Sequence, residues 1–173
     1  MALVGALRTF GAPAPLTLGV RPLMNTTELV ISPDDGAIHL SGYSLALRGG
    51  LKKEAVRNAL AALFRHEQAM GNGFEWLTFH NVTFGKQPCG LAACFKQGEL
   101  TEVHFSVSLP TAKLEGGWPT REAIEEELAF VRSQLNAQLG TEPNDTSTVF
   151  PWGTVWSMFD PKGFQANSGV RYG

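Results

Sequence analysis

Apolar positions change period along this chain, and the changes mark out its elements. Glu28-Leu29-Val30-Ile31 runs into Ser32-Pro33-Asp34-Asp35-Gly36, a turn signal, and Ala37 to Leu47 follows as the second strand of a hairpin. Over residues 52 to 70 the spacing becomes helical. Val56, Ala59, Leu60, Leu63 and Phe64 make one stripe, and Gly71 and Gly73 supply a stop. Phe74 to Phe84, rich in aromatic and β-branched residues, reads as a strand. Gly90 to Phe95 and Leu100 to Leu109 flank Lys96-Gln97-Gly98-Glu99 as a second hairpin.

A second helix is expected over residues 121 to 139, with Ile124, Leu128, Val131, Leu135 and Leu139 as its apolar stripe. Thr120 can cap it, because a threonine hydroxyl accepts from the free amides of a first turn. Gly140 ends it. Thr148 to Phe159 reads as one strand. Asp160-Pro161-Lys162-Gly163 has the residue types of a type I turn, and Phe164 to Tyr172 is the last strand. Residues 1 to 25 carry Gly11, Pro13, Pro15 and Pro22 and read as an extended arm, leaving 26 to 173 as a single domain. Cys89 and Cys94 are five residues apart, so in one strand they face opposite ways and remain separate buried thiols.

This order predicts an α+β fold, a mainly antiparallel sheet with two helices on one face. It also suggests an internal duplication of a ββαβ(β) unit, over about 28–84 and 90–173. Tyr43-Ser44-Leu45-Ala46-Leu47 lies over Phe105-Ser106-Val107-Ser108-Leu109. Phe74-x-Trp76-x-Thr78 lies over Phe150-x-Trp152-x-Thr154. On that reading Phe150, Trp152, Thr154, Trp156 and Met158 share one strand face.

Composition narrows the function. The 173 residues are 43% hydrophobic and 17% charged, with a net charge of -2, which gives no general attraction to nucleic acid or anionic lipid. No apolar run approaches a membrane span, and the N-terminus lacks a basic leader pattern, so a cytoplasmic location is expected. The four histidines, His39, His66, His80 and His104, form no metal-ligand spacing with each other or with the cysteines. No metal or cofactor is expected. Charge is segregated nonetheless. Arg48 to Glu67 carries five basic and two acidic residues, whereas Leu114 to Asp145 carries seven acidic and two basic.

The segment Phe150-Pro151-Trp152-Gly153-Thr154-Val155-Trp156-Ser157-Met158-Phe159-Asp160-Pro161-Lys162, with a last strand ending Val170-Arg171-Tyr172, resembles the closing hairpin of small bacterial α+β proteins of the immunity or inhibitor type. The resemblance implies a non-enzymatic protein that neutralises a partner by covering its surface. The acidic second helix suits a cationic toxin or enzyme as that partner. The residues expected to meet it are Glu122, Glu125, Glu126, Trp118, Trp152, Trp156, Asp160 and Lys162, since tryptophan is enriched at interface hot spots and the charges border it. Two other readings stand beside this one. One is a small-molecule module with its ligand between sheet and helices. The other is an enzyme built from scattered residues such as Asp160, His80 and His104. Pairing of a sheet edge between two copies, giving a homodimer, is also open.

Overall fold

A computed structural model describes residues 26–142 and 144–173. The expected arm at 1–25 lies outside them. The elements run β1 (Thr27–Ile31), β2 (Ile38–Leu40), α1 (Lys53–Ala59), β3 (Phe64–Ala69), β4 (Phe74–Phe84), β5 (Gln87–Lys96), β6 (Glu99–Val107), β7 (Leu114–Glu115), β8 (Trp118–Pro119), α2 (Arg121–Leu139), β9 (Ser147–Phe150), β10 (Gly153–Asp160) and β11 (Gln165–Tyr172).

Nine strands form one sheet in the order β2-β1-β4-β5-β6-β11-β10-β9, with β3 pairing the first half of β4. All ladders are antiparallel except the short β1–β4 pair, where Thr27 faces Val82. The sheet curls until its ends approach. The Tyr172 hydroxyl of β11 donates to the carbonyls of Leu47 at 3.0 Å and Gly36 at 3.2 Å, and the Trp152 indole donates to the Pro33 carbonyl at 3.0 Å. Burial holds the Tyr172 phenol above its ordinary pKa, so it stays a donor.

The inner face carries alternate residues of the central strands, among them Leu77, Leu91, Ala93, Val103, Phe105, Val155 and Val170. Val56 of α1, Leu60 just after it, and Val131, Leu135 and Leu139 of α2 join the same core, so both helices fill one side of the sheet. α2 begins and ends where its caps require. The Thr120 hydroxyl accepts from the Ala123 amide at 3.2 Å, and Gly140 takes φ 69°.

Four expectations need correction. The first helix does not run over 52–70; it stops at Ala59, and β3 follows. Beyond Phe64 no apolar side chain continues the stripe, so nothing pins further turns. Residues 64–69 instead pair with β4, whose backbone groups would otherwise lack partners. The strand expected from Ala37 to Leu47 ends at Leu40. Gly42, at φ 87°, turns the chain, and Leu47 comes back to bridge Ile38. The single strand expected over Thr148 to Phe159 is a hairpin, turned at Pro151-Trp152, so its faces reset after the turn. The duplicated layout is not confirmed. In the front portion β1 lies parallel beside β4, whereas in the back portion the later hairpin strand β6 pairs antiparallel with β11. The two helices have 7 and 19 residues.

An ion-pair network ties α1 to β3 and β4. The Lys53 ammonium donates to Glu67 at 2.7 Å and Glu75 at 2.6 Å, and Arg57 reaches Glu67 at 3.0 Å. Glu75 is half-buried in this network. The Lys53 side chain is only 16% exposed. Lys53→Met leaves Glu75 without its cation and Glu67 with Arg57 alone, and a loss of about 2 kcal/mol is expected in urea unfolding at neutral pH.

The pH dependence of the network has two limbs. The hydrogen bond from Lys53 holds the Glu67 carboxyl below its ordinary range. Its contribution is full above ~4.3 and is lost as pH falls through the depressed value. The hydrogen bonds to Glu67 and then Glu75 raise the Lys53 pKa. That contribution is full below ~10.4 and is lost as pH rises through the raised value. The stability difference between wild type and Lys53→Met should therefore narrow at both extremes and be widest between them.

Candidate functional site

The outer face of the sheet carries the polar alternation of β6. Glu102, His104 and Ser106 occupy successive outward positions, since Val103, Phe105 and Val107 point into the core. His104 sits between two tryptophans. The rings of Trp76 and Trp156 meet it edge-on, with centroids at 4.9 and 5.0 Å. Gly169 pairs with both His104 and Trp156 in the ladder, and its missing side chain makes room for the Trp156 ring.

Hydrogen bonds fix these side chains. His104 Nε2 lies 2.9 Å from a Glu102 oxygen, and Arg171 Nε donates to the other oxygen at 2.7 Å. The Trp156 indole donates to Asn167 Oδ1 at 2.8 Å. Foremost the hydrogen bond with His104, and then Arg171, hold the Glu102 carboxyl below its ordinary pKa despite partial burial. An ionised Glu102 can only accept, so His104 Nε2 carries a proton and Nδ1 is left for other partners. A carboxylate that orients an imidazole is suited to binding and to proton transfer. Among the described residues, however, no hydroxyl or thiol is hydrogen-bonded to His104, so no nucleophile is in place for a relay.

Beside this cluster runs an open groove of about 750 Å³. Its floor is Gly90 and Ala92 of β5 with His104 and Ser106 of β6. Arg65 and His66 of β3 stand on one flank and Gln165 and Asn167 of β11 on the other, while Pro119 and Glu127 border it from the α2 side. Burial raises the Glu127 carboxyl, against a hydrogen bond received from the Val107 amide at 2.8 Å.

The residues named from sequence scatter over this framework. Trp118, on the small β7–β8 hairpin, is 73% exposed. Glu122 is paired with Lys113 at 2.8 Å, Glu125 is paired with Arg121, and Glu126 is exposed with no ion pair among the described residues. Two of the three carboxylates are thus partly neutralised. Trp152 stacks on Phe150 at 4.7 Å and lies against Gly36, which makes it an internal staple. Trp156 is buried under its neighbours on the outer face. Asp160 accepts from the Lys162 amide at 2.9 Å, shaping the turn, and Lys162 is exposed. His80 sits at the β4 bulge and is separated from His104 by the whole of β5, so the scattered set Asp160, His80 and His104 is not drawn together by strand pairing. Cys89 and Cys94 are free and buried on opposite faces, as their spacing suggested; burial pushes the Cys89 thiol up to about 12.

Sequence reasoning missed Arg65, His66, Glu102, Asn167, Gly169 and Arg171. Only Glu102-x-His104-x-Ser106 left a readable signal, the period-two run of polar residues within a strand already expected.

Comparison with known proteins adds little to this geometry. No family model and no curated protein matches the chain. One solved structure, titled "Rhs1-CT in complex with cognate immunity protein RhsI1", is similar to it over 83% of this chain and 86% of that one, at 12% identity and a TM-score of 0.47. A likeness at that level assigns no activity. No helix among the described residues is long and apolar enough to cross a membrane.

Proposed function

We propose that this is a non-enzymatic binding protein of the immunity or inhibitor kind, which covers the surface of a protein partner. The contact would be the corner where the β7–β8 hairpin, the first turn of α2 and the β10–β11 loop meet. One observation carries the reading: Trp118 is 73% exposed on this corner, and Phe164, in the loop below, is 49% exposed. Phe164 has φ 47°, a conformation that costs a bulky residue about 1–3 kcal/mol. Its ring meets Phe159 edge-on at 5.6 Å, and the Arg121 guanidinium lies 3.7 Å above Phe159. Tryptophan and arginine in an aromatic setting are the residue types that dominate protein interfaces.

The exposed Glu126 at the same end of α2 favours a partner with a cationic patch. Pairing of Glu122 and Glu125 within the chain leaves the aromatic groups as the main source of affinity.

The test is affinity capture from the source lysate with three immobilised proteins: wild type, Trp118→Ala, and Val149→Ala on the far edge strand. Wild type and Val149→Ala should retain the same stoichiometric partner. Trp118→Ala should bind it about 30-fold more weakly, the effect of one hot-spot residue, with folding stability changed by less than about 0.5 kcal/mol. Equal recovery by all three would remove this corner as the interface, and the proposal with it.

A further inference from the structure

We propose that the groove on the outer sheet face is a binding site for a small organic anion, whose carboxylate or phosphate group is held by Arg65 and Asn167, next to His104. Arg65 is the one guanidinium among the residues lining it. Arg65 is the extra residue of a bulge, since Phe64 faces Phe79 and His66 already faces Thr78. Bulges re-aim side chains, and this one brings Arg65 to the groove wall. Among the described residues its guanidinium has no carboxylate partner.

The second donor is oriented by its neighbour. Asn167 Oδ1 is occupied by the Trp156 indole, so its amide hydrogens remain for a ligand. His104 is held through Nε2 by Glu102, and the Glu102 charge is already shared with Arg171. Burial raises the pKa of Glu127, the carboxylate bordering the groove, which accepts the Val107 amide. His66 adds a second imidazole on the flank. The volume, about 750 Å³, lies inside the range of small-ligand sites, roughly 300–1,000 Å³.

The floor supplies an independent argument. Glycine within a strand weakens it, and Gly90 has no backbone reason to be there. Its φ is not positive, and an added Cβ would find nothing nearer than the Ser106 carbonyl at 3.9 Å. The fold would accept a side chain at this position; the groove would be filled by it.

The experiment follows the imidazole resonances of His66 and His104 by NMR, with His39 on β2 as the internal control. Inorganic phosphate and succinate are titrated separately at constant ionic strength, which removes general screening. Wild type should show saturable shifts at His66 and His104 and none at His39, with phosphate, succinate or both. Whichever probe saturates identifies the anion class. Arg65→Gln should weaken binding about tenfold, and Gly90→Val should abolish it while melting no lower than wild type. Shifts that do not saturate, that appear equally at His39, or that survive unchanged in both variants would overturn the proposal. Should Gly90→Val fail to fold, Arg65→Gln alone decides it.

Discussion

Replacing Gly169 by alanine is expected to destabilise the protein by about 3 kcal/mol, read as a shift in urea midpoint without a change in slope. A Cβ at this position would lie 2.5 Å from the Trp156 ring and 2.6 Å from the Val103 carbonyl oxygen. The ring could move, but the carbonyl belongs to the neighbouring strand β6 and is held in the ladder. The cost therefore has a part that relaxation can reduce and a part that it cannot. In a Trp156→Ala background the first part is gone, and the penalty of Gly169→Ala should fall by about 1 kcal/mol, the coupling typical of groups in contact. A penalty below about 1 kcal/mol in the wild-type background would mean that the Trp156 ring does not lie across β11. The arrangement of His104 between two tryptophans would then fall too.

That sensitivity shows how the outer face is built. Trp156 covers Gly169, its indole fixes Asn167, and its edge supports His104, which Glu102 orients. Sheet pairing places these residues side by side although they come from strands far apart in sequence. The corner formed by Trp118 and Phe164 is built differently, from a short hairpin and a loop, and carries little of the core. A contact proposed there can change without loss of the fold, so Trp118→Ala should separate binding from stability.

Legibility in the sequence followed the range of the forces involved. The bounds of α2 were readable, because the Thr120 cap, the stripe from Ile124 to Leu139 and the Gly140 stop are all local. So were β4 and the β5–β6 hairpin, whose turn residues Gln97 and Gly98 both take positive φ. β3 was not. Phe64 fits the helical stripe as well as it fits a strand, and only the open flank of β4 decides between them. For the same reason the groove was hidden. Arg65 acquires its direction from the register of β3 against β4, and Asn167 from a tryptophan on the next strand. The period-two polar run at Glu102, His104 and Ser106 was present in the sequence, but its value depended on which strands would lie on either side. Segregation of charge was equally visible, while its partial cancellation by Lys113 and Arg121 depended on how side chains meet in space.

The largest loss is expected from Gly153→Ala, about 4 kcal/mol or more, from two causes that add. Gly153 has φ 150°, a conformation that side-chain-bearing residues rarely adopt, and a Cβ there would stand 2.0 Å from the Arg171 carbonyl oxygen of β11. The three nearest atoms are all backbone, so no rotamer change relieves the contact. This glycine lets the chain reverse after Pro151 and Trp152 and enter β10 in register, with Gly153 facing both Phe150 and Tyr172. The turn in turn carries Trp152 to the Pro33 carbonyl and against Gly36, where the curled sheet closes on itself. Gly153→Ala should accordingly release two contacts at once: the β9–β10 hairpin, and the junction between the two ends of the sheet. Hydrogen exchange would show early loss of protection in both β1–β2 and β9–β10, while α2 and the β5–β6 hairpin stay protected longest. A variant that keeps wild-type stability would mean that the reversal at 150–153 does not exist, and that the chain runs straight through as the single strand its residue pattern suggests.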